Sequence, residues 1–265
     1  VCAFRLACLQ TPGSPGDPEA NLAELDRAAA RSVAAGADLL VTPELFLTGY
    51  DIEGTAAFAR QPLVSHAAEI ARRNHIALLV GVPLRTAKGM INAAVFVDET
   101  GEVIGTHAKT HLFGELDRSR FVPGFSTTSI VDYRGLRIAI LICYDVEFPE
   151  TVRAAALHGA QLIAVPTAQM TPFAWVAETL IPVRAWENQV YLCYVNHSGA
   201  ERDTVYVGRS SIVGPNGGIL AQAHEEPALL LAEIDPREVE QGQRDNPYLA
   251  DLRTDLHPQS AVDAG

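Results

Sequence analysis

The chain has 265 residues, 48% of them hydrophobic, and no shift in composition divides it, so it is long enough to bury a sizeable core and reads as one domain, 1–265. Its formal charge of −12 comes from scattered Asp and Glu, which excludes nucleic acid and anionic membrane as expected partners. No stretch reaches the roughly 18 apolar residues of a membrane span, and the opening VCAFRLACLQ lacks a basic flank and a small-residue cleavage site, so a soluble, cytoplasmic protein is expected.

That opening run is the first predicted strand. Asp17 and Pro18 then form a helix start, an N-cap followed by a residue suited to the first turn, and Leu22, Leu25, Ala29 and Val33 recur at helical spacing until Gly36. Asp38 to Thr42 is an apolar run too short for a helix and bounded by Pro43, which fits a buried strand. The pattern repeats with a helix from Pro62 to Asn74 and a strand from Ile76 to Val82. Ile91 to Asp98 and Val103 to His107 read as a hairpin, and Gly135 turns the chain between Ser129–Tyr133 and Leu136–Ile142.

After Cys143 the sequence predicts a loop, then a helix from about Pro149 to His158. GADLLVTPE, at 36–44, is echoed by GAQLIAVPT, at 159–167, which points to a pseudo-symmetric α/β unit rather than a solenoid. A helix over Phe173 to Asn188 follows, then strands at Val190–Val195, Val205–Val213, Ile219–Ala223 and Leu229–Ile234. Helices and hairpins in this mixture imply a layered α/β sandwich with mixed sheets. From about 246 the periodicity is lost, and a C-terminal arm carrying Tyr248, Leu249, Leu252 and Leu256 packs either on its own domain or on another subunit.

Three polar residues stand just beyond three predicted strands: Glu44, Lys109 and Cys143. Function in open α/β sheets collects at carboxyl ends of strands, so the three can share one crevice. Their chemistry is complementary. A thiolate is a nucleophile, an adjacent ammonium favours it and stabilises an oxyanion, and a carboxylate can take the thiol proton and return it to a leaving amine. Neither metal nor organic cofactor is required. Each residue alone has a bland reading, Glu and Lys as solvated loop groups and Cys143 as core.

The remaining candidates divide in the same way. Cys2, Cys8, Cys143 and Cys193 have no metal-ligand spacing. His107 and His111 are four apart, but Ala108 stands where the HExxH pattern needs glutamate. His197 is a possible partner for Cys143, or simply part of the turn Asn196–Gly199. Tyr50, Phe173, Trp175 and Trp186 are candidate pocket residues, although aromatics are more often core.

The segments PELFLTGY (43–50), KTHLFGELDRSRFVPG (109–124), ICYDVEFPE (142–150) and RAWENQVYLCYVN (184–196) resemble, in order, the glutamate, lysine, nucleophile and later helix-to-strand blocks of the nitrilase superfamily. The resemblance implies a four-layer αββα sandwich with two mixed sheets that assembles as a homodimer or larger homo-oligomer. It makes Glu44 the general base and acid, Lys109 the oxyanion-stabilising cation, Cys143 the nucleophile and the N–H of Tyr144 part of the oxyanion hole. A second family glutamate falls at Asp117 by register, with Glu115 two residues earlier as the alternative. The expected activity is amidase, with a small amide and water as reactants. The same triad also suits a nitrilase or an N-carbamoyl amino-acid hydrolase, and an inactive scaffold module is the reading outside enzymes.

Overall fold

The computed structural model describes residues 4–256. Cys2 and the end of the expected arm lie outside them. In chain order the main elements are β1 (Phe4–Gln10), α1 (Pro18–Ala34), β2 (Leu39–Val41), α2 (Thr55–Phe58), α3 (Leu63–Asn74), β3 (Ala77–Thr86), β4 (Gly89–Val97), β5 (Val103–Ala108), α4 (Gly114–Arg118), β6 (Ser129–Tyr133), β7 (Leu136–Ile140), α5 (Pro149–Leu157) and β8 (Leu162–Pro166). Then come α6 (Ile181–Trp186), β9 (Tyr191–Val195), β10 (Ala200–Glu201), β11 (Thr204–Val205), β12 (Ser211–Val213), β13 (Ile219–Gln222), β14 (Ala228–Ile234), α7 (Pro236–Asp245) and α8 (Tyr248–Asp251).

Two six-stranded mixed sheets result, ordered β14-β1-β2-β3-β4-β5 and β13-β12-β9-β8-β7-β6. Strand alternation decides what each face buries. Leu6 and Cys8 of β1 point inward to a core shared with Ile138, Ile140, Ala164 and Cys193 of the other sheet, whereas Ala7 and Leu9 point outward against Leu25, Ala28 and Ala29 of α1. On the far side Leu141, Ile163, Val165 and Leu192 pack against Val152 and Ala155 of α5 and Ile181 and Ala185 of α6. Helix, sheet, sheet and helix therefore form four layers, as the family resemblance implied.

Asp17 caps α1 by accepting from the Ala20 N–H at 3.0 Å. The echoed strings become β2 and β8, each with a parallel strand on both sides in the middle of its sheet. Gly81 of β3 is what lets the chain after β2 lie flat on the sheet: a Cβ there would sit 2.3 Å from the Leu45 nitrogen and 2.4 Å from the Pro43 oxygen.

Several boundaries differ from expectation. β3 runs on to Thr86 and forms a hairpin with β4. Pro83 is tolerated because β2 pairs only with Ala77–Leu79, leaving that part of the strand without a second strand neighbour. The segment expected as one strand over Val205–Val213 breaks into β11 and β12, because Gly208 and Arg209 take left-handed backbone angles of φ 64° and 56°. The expected helix over Phe173–Asn188 opens with a π-helical turn, Val176–Leu180, before α6. The loop expected after Cys143 is a 3-10 turn, Cys143–Glu147. The described part of the arm folds back on its own chain, with Leu249 against the α5–α6 layer and Tyr248 edge-on to Trp186 at 6.5 Å.

Candidate active site

Glu44 and Cys143 follow the inner strands β2 and β7, Lys109 follows the edge strand β5, and all three are buried. Lys109 Nζ lies 2.7 Å from Glu44 Oε1 and 2.7 Å from Asp117 Oδ2. Asn92 of β4 donates to the same Glu44 oxygen at 2.6 Å, while Glu44 Oε2 has no hydrogen-bond partner among the described residues. Asp117 also accepts from the Phe113 N–H at 2.9 Å, which folds α4 over the lysine. Glu115 is exposed on the other side of that short helix.

Cys143 opens its 3-10 turn at φ 46°, a left-handed conformation unusual for a residue with a Cβ. Its Sγ is 3.9 Å from Gln169 Oε1. Asp145 holds the turn. Its carboxylate accepts from the N–H groups of Ile142 (3.1 Å), Thr110 (3.2 Å) and His111 (2.8 Å), and meets His111 Nδ1 at 2.9 Å and His107 Nε2 at 3.2 Å. It thereby ties the cysteine turn to the chain on both sides of Lys109. Arg184 of α6 braces the same turn from beneath, donating to the carbonyls of Val146 at 3.0 Å and Glu147 at 2.8 Å.

Electrostatics follow from burial. Desolvation raises the pKa of Glu44, Asp117 adds to the rise, and Lys109 opposes it. Burial pulls the Lys109 ammonium down, but the charges of Glu44 and Asp117, with Cys143 and Tyr50, outweigh that and hold it well above its ordinary value. The Cys143 thiol is pushed up by burial and then by Glu44, against the pull of Lys109 and of the neighbouring polar groups of Thr167 and Ala168. The ammonium alone therefore does not yield a resting thiolate, and attack needs a base.

A narrow cavity reaches the sulfur, lined by Tyr50, Phe113, Cys143, Tyr144, Glu147, Ala168, Gln169, Met170 and Phe173. Its free volume is ≈ 10 Å³, at the threshold for admitting a single water. Tyr50 is buried with its ring 5.7 Å from Lys109 Nζ, and Phe173 stands half-exposed on the wall. Trp175 is 61% exposed and not among the lining residues, and Trp186 packs on Tyr248 instead. Both fall outside the pocket expected from sequence. His197 turns away from Cys143's chemistry, its Nε2 2.7 Å from the Glu44 carbonyl oxygen.

Residues 5–244 match the sequence model of the carbon-nitrogen hydrolases. The chain belongs to that family. As a carbon-nitrogen hydrolase it acts on carbon-nitrogen bonds other than peptide bonds. It is 41% identical to the hydrolase in the pqqF 5' region of Pseudomonas protegens, over 97% of this chain and 92% of that one. It is 34% identical to an (R)-stereoselective amidase of Pseudomonas sp., over 94% and 92% of the two chains. The crystal structure of an amidase from Nesterenkonia sp. superposes on this carbon-nitrogen hydrolase with a TM-score of 0.88 at 39% identity, covering 96% and 95%. A glutamate-to-glutamine variant of that amidase shows covalent addition of the acetamide moiety of fluoroacetamide at the active site cysteine.

Four contributors to this site were not anticipated from sequence: Asn92, Asp145, Glu147 and Arg184. Asn92 had a signal, a lone polar residue in the apolar run MINAAVFV. Asp145 and Glu147 sit inside the quoted nucleophile block, but nothing in their spacing shows that one faces two histidines and the other the cavity.

Proposed function

We propose that the protein hydrolyses small carboxamides to the acid and ammonia through a thioester on Cys143. The observation that carries this reading is the buried Glu44–Lys109–Asp117 cluster, with both contacts at 2.7 Å, beside a high-pKa thiol on a left-handed turn. Glu44 takes the thiol proton as sulfur attacks the amide carbon. The oxyanion forms against Lys109 and the N–H of Tyr144. The carbon-nitrogen bond then breaks, and ammonia leaves with the proton from Glu44. Water attacks the thioester, gives its proton to Glu44, and the acid departs as the thiol is restored. Asp117 shares the ammonium with Glu44 and fixes where it points.

The narrow cavity supports a short acyl group, and the acetamide adduct of the Nesterenkonia relative supports the cysteine as nucleophile. A homodimer or larger homo-oligomer is part of the same reading, to be measured by sedimentation. No described helix is long and apolar enough to cross a membrane.

The deciding experiment measures ammonia release from acetamide, propionamide and butyramide, with the matching nitriles and an N-carbamoyl amino acid alongside, and intact-mass detection of the acyl-enzyme. The reading expects ammonia from amides and a mass increase on Cys143. Release from nitriles or carbamoyl compounds alone replaces it with one of those activities.

A further inference from the structure

We propose that Glu147 sets acyl specificity: its carboxylate on the wall of the Cys143 cavity favours amides whose acyl chain carries an ammonium group and disfavours those carrying a carboxylate. The inference rests on the amide-hydrolysis reading and names its substrate class. Glu147 ends the 3-10 turn that Cys143 begins and lines the same cavity. Its side chain is half-buried and makes no hydrogen bond or ion pair among the described residues, whereas its backbone carbonyl is fixed by Arg184. Arg184 does not neutralise it by contact, since the guanidinium is spent on the two backbone carbonyls and on Glu187 at 2.8 Å.

The rest of the cavity wall carries no charge: Tyr50, Phe113, Tyr144, Ala168, Gln169, Met170 and Phe173 complete it. Beneath it, the Lys109 ammonium is already shared by Glu44 and Asp117. Glu147 is therefore the one charged side chain that a bound acyl group meets on the cavity wall, and the Lys109 ammonium is not free to offset it. An anionic chain is repelled, and a cationic one finds an unpaired partner at Glu147. Burial raises the pKa of Glu147 while Lys109 and Arg184 oppose the rise, so an incoming ammonium adds a countercharge where desolvation is least favourable.

The test compares short-chain amides at neutral pH: β-alaninamide (cationic, and isosteric with butyramide) and succinamate (anionic), each as a kcat/KM ratio to neutral butyramide. The ratio, not the absolute rate, is read in the parent, Glu147→Gln and Glu147→Lys. The expected result is a cationic-to-neutral ratio about tenfold lower in Glu147→Gln, as for an ion pair between exposed and desolvated limits. Glu147→Lys should lower it further and raise the anionic ratio. Calorimetric binding of the same three amides to Cys143→Ala provides a readout independent of turnover and of folding in the Glu147 variants, with the cationic amide bound tightest. Ratios within twofold of the parent in both variants, or equal affinities of the three amides for Cys143→Ala, overturn the inference while butyramide turnover keeps the amidase reading. A parent that neither binds nor hydrolyses any of the three overturns both.

Discussion

The Glu44 N–H donates to the Thr167 carbonyl across 3.2 Å, and these two residues are the matching ends of the echoed strings GADLLVTPE and GAQLIAVPT. The bond stitches the carboxyl end of β2 to that of β8, so the two sheets meet where the site is built. The proposed base is thus anchored through its backbone to the chain that leaves the second sheet, the sheet whose strand β7 leads into the proposed nucleophile.

Cys143→Ala should abolish ammonia release and acyl-enzyme formation while keeping the fold. Alanine fills nearly the same space and accepts the left-handed φ no worse than cysteine. Circular dichroism and the thermal midpoint should stay near the parent, and release at the parent rate would end the nucleophile assignment.

Lys109→Met should lower kcat by at least about 100-fold to 1,000-fold, the usual effect of deleting one oxyanion donor. It also leaves Glu44 and Asp117 buried without their cation, which costs about 3–5 kcal/mol of stability. Adding Asp117→Asn to that variant should recover part of the stability, because one buried charge is removed, but none of the rate. Denaturant titration alongside kinetics separates the two effects. Equal stability of the single and double variants would show that the cluster is not electrostatically strained.

Much of this arrangement was legible because strands end where apolar runs end. Thr42, His107 and Ile142 end the predicted strands, and Glu44, Lys109 and Cys143 each follow within two residues, so the catalytic candidates could be assigned to one crevice from sequence. What supports them was not legible. Asp145 meets His107 38 residues earlier in the chain, and Arg184 reaches carbonyls at 146 and 147, contacts that local spacing does not encode. The helices α2 and α4 are a single turn long and carry no periodicity. The start of α7 repeats the Asp-Pro signal of α1, with Asp235 accepting from the Arg237 N–H, yet Val239 is its one buried residue, too little for a hydrophobic stripe.

Asp145→Asn should destabilise the protein by about 2–4 kcal/mol at neutral pH, since an amide cannot accept from all the N–H groups converging there. Burial pushes the Asp145 pKa up, but hydrogen bonds from His107 and His111 and the charge of His107 outweigh it and hold the carboxyl well below the usual range. The unfolded carboxyl, with a pKa of about 3.9, therefore binds its proton first as pH falls. The stabilisation is complete above that value and is lost as pH drops through it towards the folded-state pKa. The gap in thermal midpoint between parent and variant should be widest at pH 7 and narrow below pH 4. A gap that is constant with pH would mean the carboxylate's charge is not what holds the turn.

Asp117→Asn separates a carboxylate that tunes the base from one that merely props up the lysine. Burial is the main reason the Glu44 pKa is raised, and the negative charge of Asp117 raises it further, against Lys109. Glu44 must be ionised to take the thiol proton, so activity is present above its pKa and falls as pH drops through it, giving an acid limb above the ordinary glutamate value of about 4.3. Removing the Asp117 charge leaves Lys109 to Glu44 alone, lowers the Glu44 pKa and makes it a weaker base. The acid limb of kcat/KM should move to lower pH, and the plateau should fall. Because the three charges interact, the limb belongs to the cluster rather than to one group, but its direction of movement is fixed by the sign of the charge removed. A plateau that falls with the limb in place would leave Asp117 only a mechanical support, and a limb that moves upward would contradict the assignment of Glu44 as the base.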